Sequence, residues 1–201
     1  MRRALFPRKA IRMAVAHVLK LDISGLPEGW ITAQEAAAFY ATETVAWTLG
    51  EPWITLRGGF NRMLARRSMM PVHPIIAVKG KSQNHRTLHA IPALTRRKLI
   101  RRDRSLCAYC GIVFDEKDLT TDHIMPVSRG GGHVWTNVLA ACRRCNHAKS
   151  DRTPEEWGRL PIFVAYTPNK YEGLILANRR VLADQLEFLL AGVPKSSRLA
   201  Q

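Results

Sequence analysis

All four cysteines fall in two Cys-x-x-Cys pairs, Cys107-Ala108-Tyr109-Cys110 and Cys142-Arg143-Arg144-Cys145, and none is left over. Two residues between thiolates let a tight knuckle aim both sulfurs at one ion, and two knuckles complete the tetrahedral shell that zinc prefers. The spacing predicts one structural Zn²⁺, with two disulfides or a redox pair as the alternatives. A closed tetrathiolate shell leaves no position for water or substrate. Chemistry must therefore reside elsewhere.

Between the knuckles lie Thr121-Asp122-His123-Ile124-Met125-Pro126 and a loop carrying Gly130, Gly131 and Gly132; Asn137 precedes the second knuckle, and Asn146, His147 and Lys149 follow it. Leu119–Ile124 has strand character, and Pro126 with the three glycines forces a loop before Val138 and Leu139. A β-hairpin with a long loop is expected, followed by a polar helix from Asn146. Metal at Cys142 and Cys145 would pin that helix start against the strand bearing His123, so that one metal site pre-organises a second site. Neighbouring strand residues face opposite sides, so Asp122 and His123 share a site only if the strand ends there, as Pro126 favours.

The run Asp-His-Ile-x-Pro-x-Ser-x-Gly-Gly, then Asn, then Cys-x-x-Cys-Asn-x-x-Lys, covers about Cys107 to Trp157. It resembles the zinc-containing branch of the HNH endonucleases, the ββα-metal nucleases. The resemblance implies that Asp122 and Asn146 hold a catalytic Mg²⁺ or Mn²⁺, that His123 is the general base, and that Asn137 braces the loop behind it. His147 is the alternative ligand to Asn146. Products would carry 5′-phosphate and 3′-hydroxyl ends. Lys149, Arg143 and Arg144 are candidates for phosphate contacts, with Lys149 equally open to a role in supporting the fold. His133 in the glycine-rich loop, and His17, His73, His85 and His89, receive no role, and Trp135 reads as loop core.

The elements around this segment set its frame. Val18–Ile23 alternates as a strand, and Thr32 with Glu35 forms a capping-box pattern for a helix carrying Ala36, Phe39, Tyr40 and Trp47 and ending near Gly50. Trp53–Leu56 and Pro74–Val78 read as strands, with Gly58, Gly59 and the basic stretch Arg62–Arg67 as a turn between them. Arg96–Arg102 is expected to be a helix with Leu94, Leu99 and Ile100 inward and five cations outward, Arg97 and Arg101 being candidate phosphate contacts. Thr153-Pro154-Glu155-Glu156 predicts a short capped helix through Trp157. Asn178–Leu190 predicts a C-terminal amphipathic helix, and the tail from Pro194 is expected to fray. The expected fold class is α+β: a ββα-metal core with structural zinc (93–160), flanked by a basic N-terminal α+β region (1–92) and a C-terminal helical extension (161–201).

The formal charge of +15 is unevenly placed: 19 Lys/Arg against 6 Asp/Glu before Cys107, 7 against 7 from Cys107 to Leu160, and 5 against 3 beyond. Such a surface suits nucleic acid, since each cation near a phosphate releases condensed counterions. Met1–Arg12 reads as a flexible basic arm. The longest apolar stretches, such as Pro74–Val78, are too short to span a bilayer, and Met13–Leu19, broken by His17, lacks a signal-peptide pattern. A cytoplasmic compartment is the expectation. DNA is the expected partner, with RNA open to the same chemistry. A zinc-stabilised nucleic-acid-binding module is the rival to the enzyme, but it gives no reason to place carboxylate, imidazole and amide together. One site hydrolyses one strand, so double-strand cleavage needs two protomers or two events.

Overall fold

Val18, Leu19, Leu21 and all four residues Ile75–Val78 are apolar, and a strand so composed is stable only when both its faces are covered. The computed structural model, which describes residues 17–63, 65–80, 90–178 and 180–200, has that arrangement. The arm at Met1–Arg12, most of the Met13–Leu19 run, His85, His89 and Arg179 lie outside those residues. Strands β1 (Val18–Asp22), β2 (Pro27–Ile31), β3 (Val45–Leu49) and β6 (Ile75–Val78) form a sheet of order β2-β1-β6-β3, with β1 and β6 parallel at its centre. Val18, Ile76 and Val78 face a cluster with Ala36, Phe39 and Tyr40 of helix α1 (Ala33–Ala41). Leu19, Leu21, Ile75 and Ala77 face Tyr171, Leu174 and Leu189.

Those last residues belong to two C-terminal helices. A helix not anticipated from the sequence spans Lys170–Ala177, whereas the expected one is confined to Ala183–Leu190. Both cover the N-terminal sheet, and Gln185 Nε2 donates to the backbone oxygens of His17 and Pro74. The tail does not fray over its described part. Ser197 is buried with its hydroxyl on Glu172, which also accepts from Tyr166.

Helix α1 starts at the Thr32–Glu35 capping box but stops at Ala41, well short of Gly50. The Thr42 hydroxyl bonds back to Ala38 O, Glu43 adopts φ 55°, and the β-branched Thr44 and Val45 then favour extended backbone. Trp47 thus lies on β3 and is more than a third exposed. Gly58 and Gly59 are not in a turn either: β4 (Ile54–Asn61) runs through them and pairs antiparallel with β5 (Arg66–Val72).

Helix α2 (Arg96–Arg102) is capped by Thr95 and buries Leu99 and Ile100, with Leu94 packed nearby. Of the five cations expected outside, Arg102 is fully buried. Its guanidinium bonds the Asp103 carboxylate and the carbonyls of Trp135, Val138 and Tyr166 at 2.8 Å each, while Asp103 accepts from Ala140 N. One side chain thereby fastens α2 to the hairpin described next and to the chain leading to the C-terminal helices. Arg102→Met should destabilise the protein by about 3–5 kcal/mol, because Asp103 is left as an uncompensated buried charge. Arg102→Lys should restore only part, since an ammonium cannot reach the same fork of acceptors. Urea unfolding of the three proteins checks this; equal midpoints would refute it.

Strands β7 (Leu119–His123) and β8 (Val138–Cys142) pair in register from Leu119↔Cys142 to His123↔Val138. Helix α3 (Arg143–Lys149) follows without a break, and α4 (Pro154–Trp157) begins at a Thr153–Glu156 capping box. No helix among the described residues is long and apolar enough to cross a membrane.

Candidate active site and metal centre

The first knuckle is shaped by backbone bonds from Cys107 N to Ile112 O and from Gly111 N to Cys107 O, the latter at a glycine with φ 69°. The second begins where β8 ends: Cys142 caps α3, its sulfur accepting from Cys145 N at 3.4 Å. All four cysteines are free thiols, and their sulfurs lie within 4.8 Å of one another. Zn–S bonds of ~2.3 Å place tetrahedral sulfurs about 3.8 Å apart, a separation that lies within that bound. Burial disfavours the Cys107 thiolate, but backbone bonds at Cys110, Cys142 and Tyr109 outweigh it and bring its pKa to about 7. Burial and neighbouring sulfurs push Cys145 up to about 12. A cation would relieve that mutual repulsion.

Around this centre Ile100, Tyr109, Leu119, Ala140 and Ala141 form a core with Trp157 against it. Tyr109, a mere spacer within the knuckle motif, donates its hydroxyl to Asp122 Oδ2 at 2.5 Å. Burial and the Asp122 carboxylate raise its pKa, so the phenol stays a donor. The metal centre thus touches the second site through one residue.

That second site is an open cleft of about 290 Å³ whose lining includes Asp122, His123, Ser128, Asn146, Lys149 and Asp151. Strand β7 ends at His123, which lets the adjacent Asp122 and His123 reach the same cleft. Asn146, from the first turn of α3, donates Nδ2 to Thr120 Oγ1 at 2.8 Å and to Thr121 O at 3.4 Å, so its carbonyl oxygen is the atom left for a ligand. His147 lines a neighbouring cleft with Thr120 and Arg143 and is absent from the lining around His123. Asn137 accepts from Met125 N and donates to Met125 O and Gly132 O, clamping both ends of the glycine loop. Gly131 admits no side chain, because a Cβ there would lie 1.8 Å from Met125 O.

The clamped loop delivers a residue that sequence reasoning set aside. His133 Nδ1 lies 3.1 Å from His123 Nε2. Nothing in a glycine-rich loop signals such a pair without the loop's path. Partial burial, aided by His133 and Lys149, lowers the His123 pKa from its ordinary value, against the pull of Asp122.

Two cations expected at phosphate are engaged inside the protein instead. Lys149 is buried, its ammonium 3.1 Å from Asp122 Oδ1 and 2.7 Å from His123 O. The sequence of α3, with Arg143 and Arg144 beside Lys149, leaves this lysine open to phosphate contact or to support of the fold, and the buried Asp122 carboxylate decides for the second. Arg101 donates to Leu176 O at 2.7 Å and lies 3.8 Å from Glu116. Arg97, Arg143 and Arg144 are exposed.

Asp122 uses one lone pair on each oxygen for Tyr109 and Lys149, and a carboxylate has about four. With the Asn146 carbonyl this is an oxygen donor set of the kind that Mg²⁺ and Mn²⁺ accept, leaving positions for water and phosphate. Among the described residues, the four cysteines are the one cluster of three or more His, Cys, Asp or Glu ligands. In comparisons with known proteins, residues 107–160 match the family model described as HNH endonuclease. No curated protein matches the chain.

Proposed function

With residues 107–160 matching the HNH endonuclease family, we propose that this chain is a metal-dependent endonuclease that hydrolyses phosphodiester bonds in DNA. The observation that carries the reading is the convergence of Asp122, His123 and Asn146 on one open cleft beside the four-cysteine centre. The cysteines hold Zn²⁺ and keep α3 against β7. Within the cleft, His123 Nε2 engages His133, leaving Nδ1 to accept a proton from the attacking water. Asn137 fixes the loop that carries His133, and the Lys149 bond to His123 O fixes the end of β7. A Mg²⁺ or Mn²⁺ ion held by Asp122 and Asn146 would neutralise charge on the phosphate and on the departing 3′ oxygen. Products are a 5′-phosphate and a 3′-hydroxyl.

One observation favours the rival, a zinc-stabilised nucleic-acid-binding module: the Lys149 ammonium already neutralises Asp122 and opposes a second cation there. Supercoiled plasmid separates the two. The nuclease converts it to nicked circle with added Mg²⁺ or Mn²⁺ and not without. Binding without conversion under any divalent metal would replace the enzyme reading with the rival, and cleavage restricted to RNA would correct the substrate.

A further inference from the structure

The family match begins at residue 107, and the most basic part of the chain precedes it. Between Glu51 and Asp103 there are twelve Lys/Arg and no Asp or Glu. Four of those cations, Arg57, Arg62, Arg66 and Arg67, sit on β4, β5 and the turn between them, and the two strands form a sheet of their own. The base of this ribbon is anchored, with Ile54, Leu56, Met70 and Val72 packed on the α1 side of the N-terminal sheet. Beyond Arg57 and Met69 every described residue is exposed on both faces. At ~3.3 Å per residue, the exposed portion extends roughly 15 Å past the core.

An uncovered two-stranded ribbon is marginally stable in water, and this one also exposes Phe60, Met63 and Met69, with Met63 96% exposed. Arg57 stands opposite Met69 and Phe60 opposite Arg67, so cations and apolar groups share a face across the strands. The register shifts between Arg57 and Phe60, where Gly58 lets Ser68 approach; a Cβ there would lie 2.5 Å from Ser68 Oγ. Such an irregularity strengthens ribbon twist. All sixteen Asp/Glu lie among the described residues, and none forms a salt bridge with Arg57, Arg62, Arg66 or Arg67.

We propose that the β4–β5 ribbon is a duplex-binding arm that lies in the major groove of double-stranded DNA, its arginines on phosphates and guanine edges and Phe60 against thymine methyls. The B-form major groove, ~12 Å wide, admits a two-stranded ribbon and offers both anionic walls and methyl groups. The A-form RNA groove is too deep and narrow for side chains to read. The inference rests on the nuclease reading only for what the arm delivers, namely duplex substrate to the cleft.

The test uses the full chain, a labelled DNA duplex and fluorescence anisotropy without added divalent metal, so that binding is read whether or not the protein cuts. Arg57, Arg62, Arg66 and Arg67 are changed together to Gln. The Kd should rise roughly tenfold or more, and the slope of log K against log salt should fall by about one per lost phosphate contact. Phe60→Ser, which keeps every charge, should weaken binding with the slope unchanged. Matching thermal melts and zinc content establish that the variants fold. An unchanged Kd and slope would overturn the assignment, as would equal arginine-dependent binding to duplex RNA, or arginine-dependent binding to anionic vesicles with DNA binding unaffected. Ribbon-dependent DNA binding by a wild type that cuts nothing would uphold the arm while removing the nuclease reading.

Discussion

His123→Ala should lower the rate of plasmid nicking by about 10²–10⁴-fold, the usual contribution of a positioned general base, while duplex binding stays within experimental error. The imidazole is the one base whose neutral form is available in the cleft near neutral pH and whose second nitrogen is already held, by His133. Its removal takes away proton transfer without touching the thiols, the Asp122–Lys149 pair or the Asn137 clamp. A matching thermal melt would show as much. The sign of the pH dependence follows from the shift. The active form is neutral, so activity is present above the His123 pKa and is lost as pH falls through it. Because burial, then His133 and Lys149, lower that pKa, the rate should hold further into the acid range than for an ordinary histidine. His133→Ala removes one of the lowering influences and the hydrogen bond that holds the ring. The acid limb should move upward in pH and kcat should fall, with KM little changed. A His123→Ala protein that nicks at the wild-type rate would eliminate this assignment of the base.

Several parts of this arrangement are legible in the residues because short-range physics decides them. The Cys-x-x-Cys spacing, the capping boxes at Thr32–Glu35 and Thr153–Glu156, and the β7–β8 hairpin depend on neighbours a few positions away. What escapes sequence reading depends on where distant segments meet. Arg102 looks like a solvated cation until the carbonyls of Trp135, Val138 and Tyr166 meet it in the interior, and only the approach of β7 with Asp122 decides that Lys149 is buried. His133 acquires a partner only through the path of a loop fixed by Asn137 and by the tight approach at Gly131. Trp47 keeps helical spacing with α1, but the β-branched residues before it and an edge position beside β6 override that periodicity. The C-terminal tail reads as loose for the same reason: Glu172 supplies its anchor from another helix.

Removal of the Zn²⁺ proposed for the four-cysteine centre should undo the residues around the cleft and leave the N-terminal sheet standing. Structural Zn²⁺ contributes ~10–16 kcal/mol in small zinc-binding peptides, comparable to the ~5–15 kcal/mol that holds a whole domain together. Here Cys107, Cys142 and Cys145 are themselves buried members of the core that includes Ile100, Leu119 and Ala141. Without the ion, crowded sulfurs would replace the centre of that core. The N-terminal sheet has different support, with α1 on one face and the two C-terminal helices on the other, and neither cluster contains a cysteine. Chelation, or Cys145→Ser, should therefore expose sites within residues 107–160 to limited proteolysis while the sheet and its C-terminal helices persist as a resistant fragment pair. Nicking should disappear together with the zinc. The α2 contacts through Arg102 and Arg101 join the two regions, so the sheet's own melting temperature should fall by a few degrees at most. Metal analysis should find about one zinc per chain in the untreated protein. A chelated, zinc-free chain that resists protease over 107–160 and still nicks plasmid would show that hydrophobic packing alone holds the cleft, and the four sulfurs would then need another explanation.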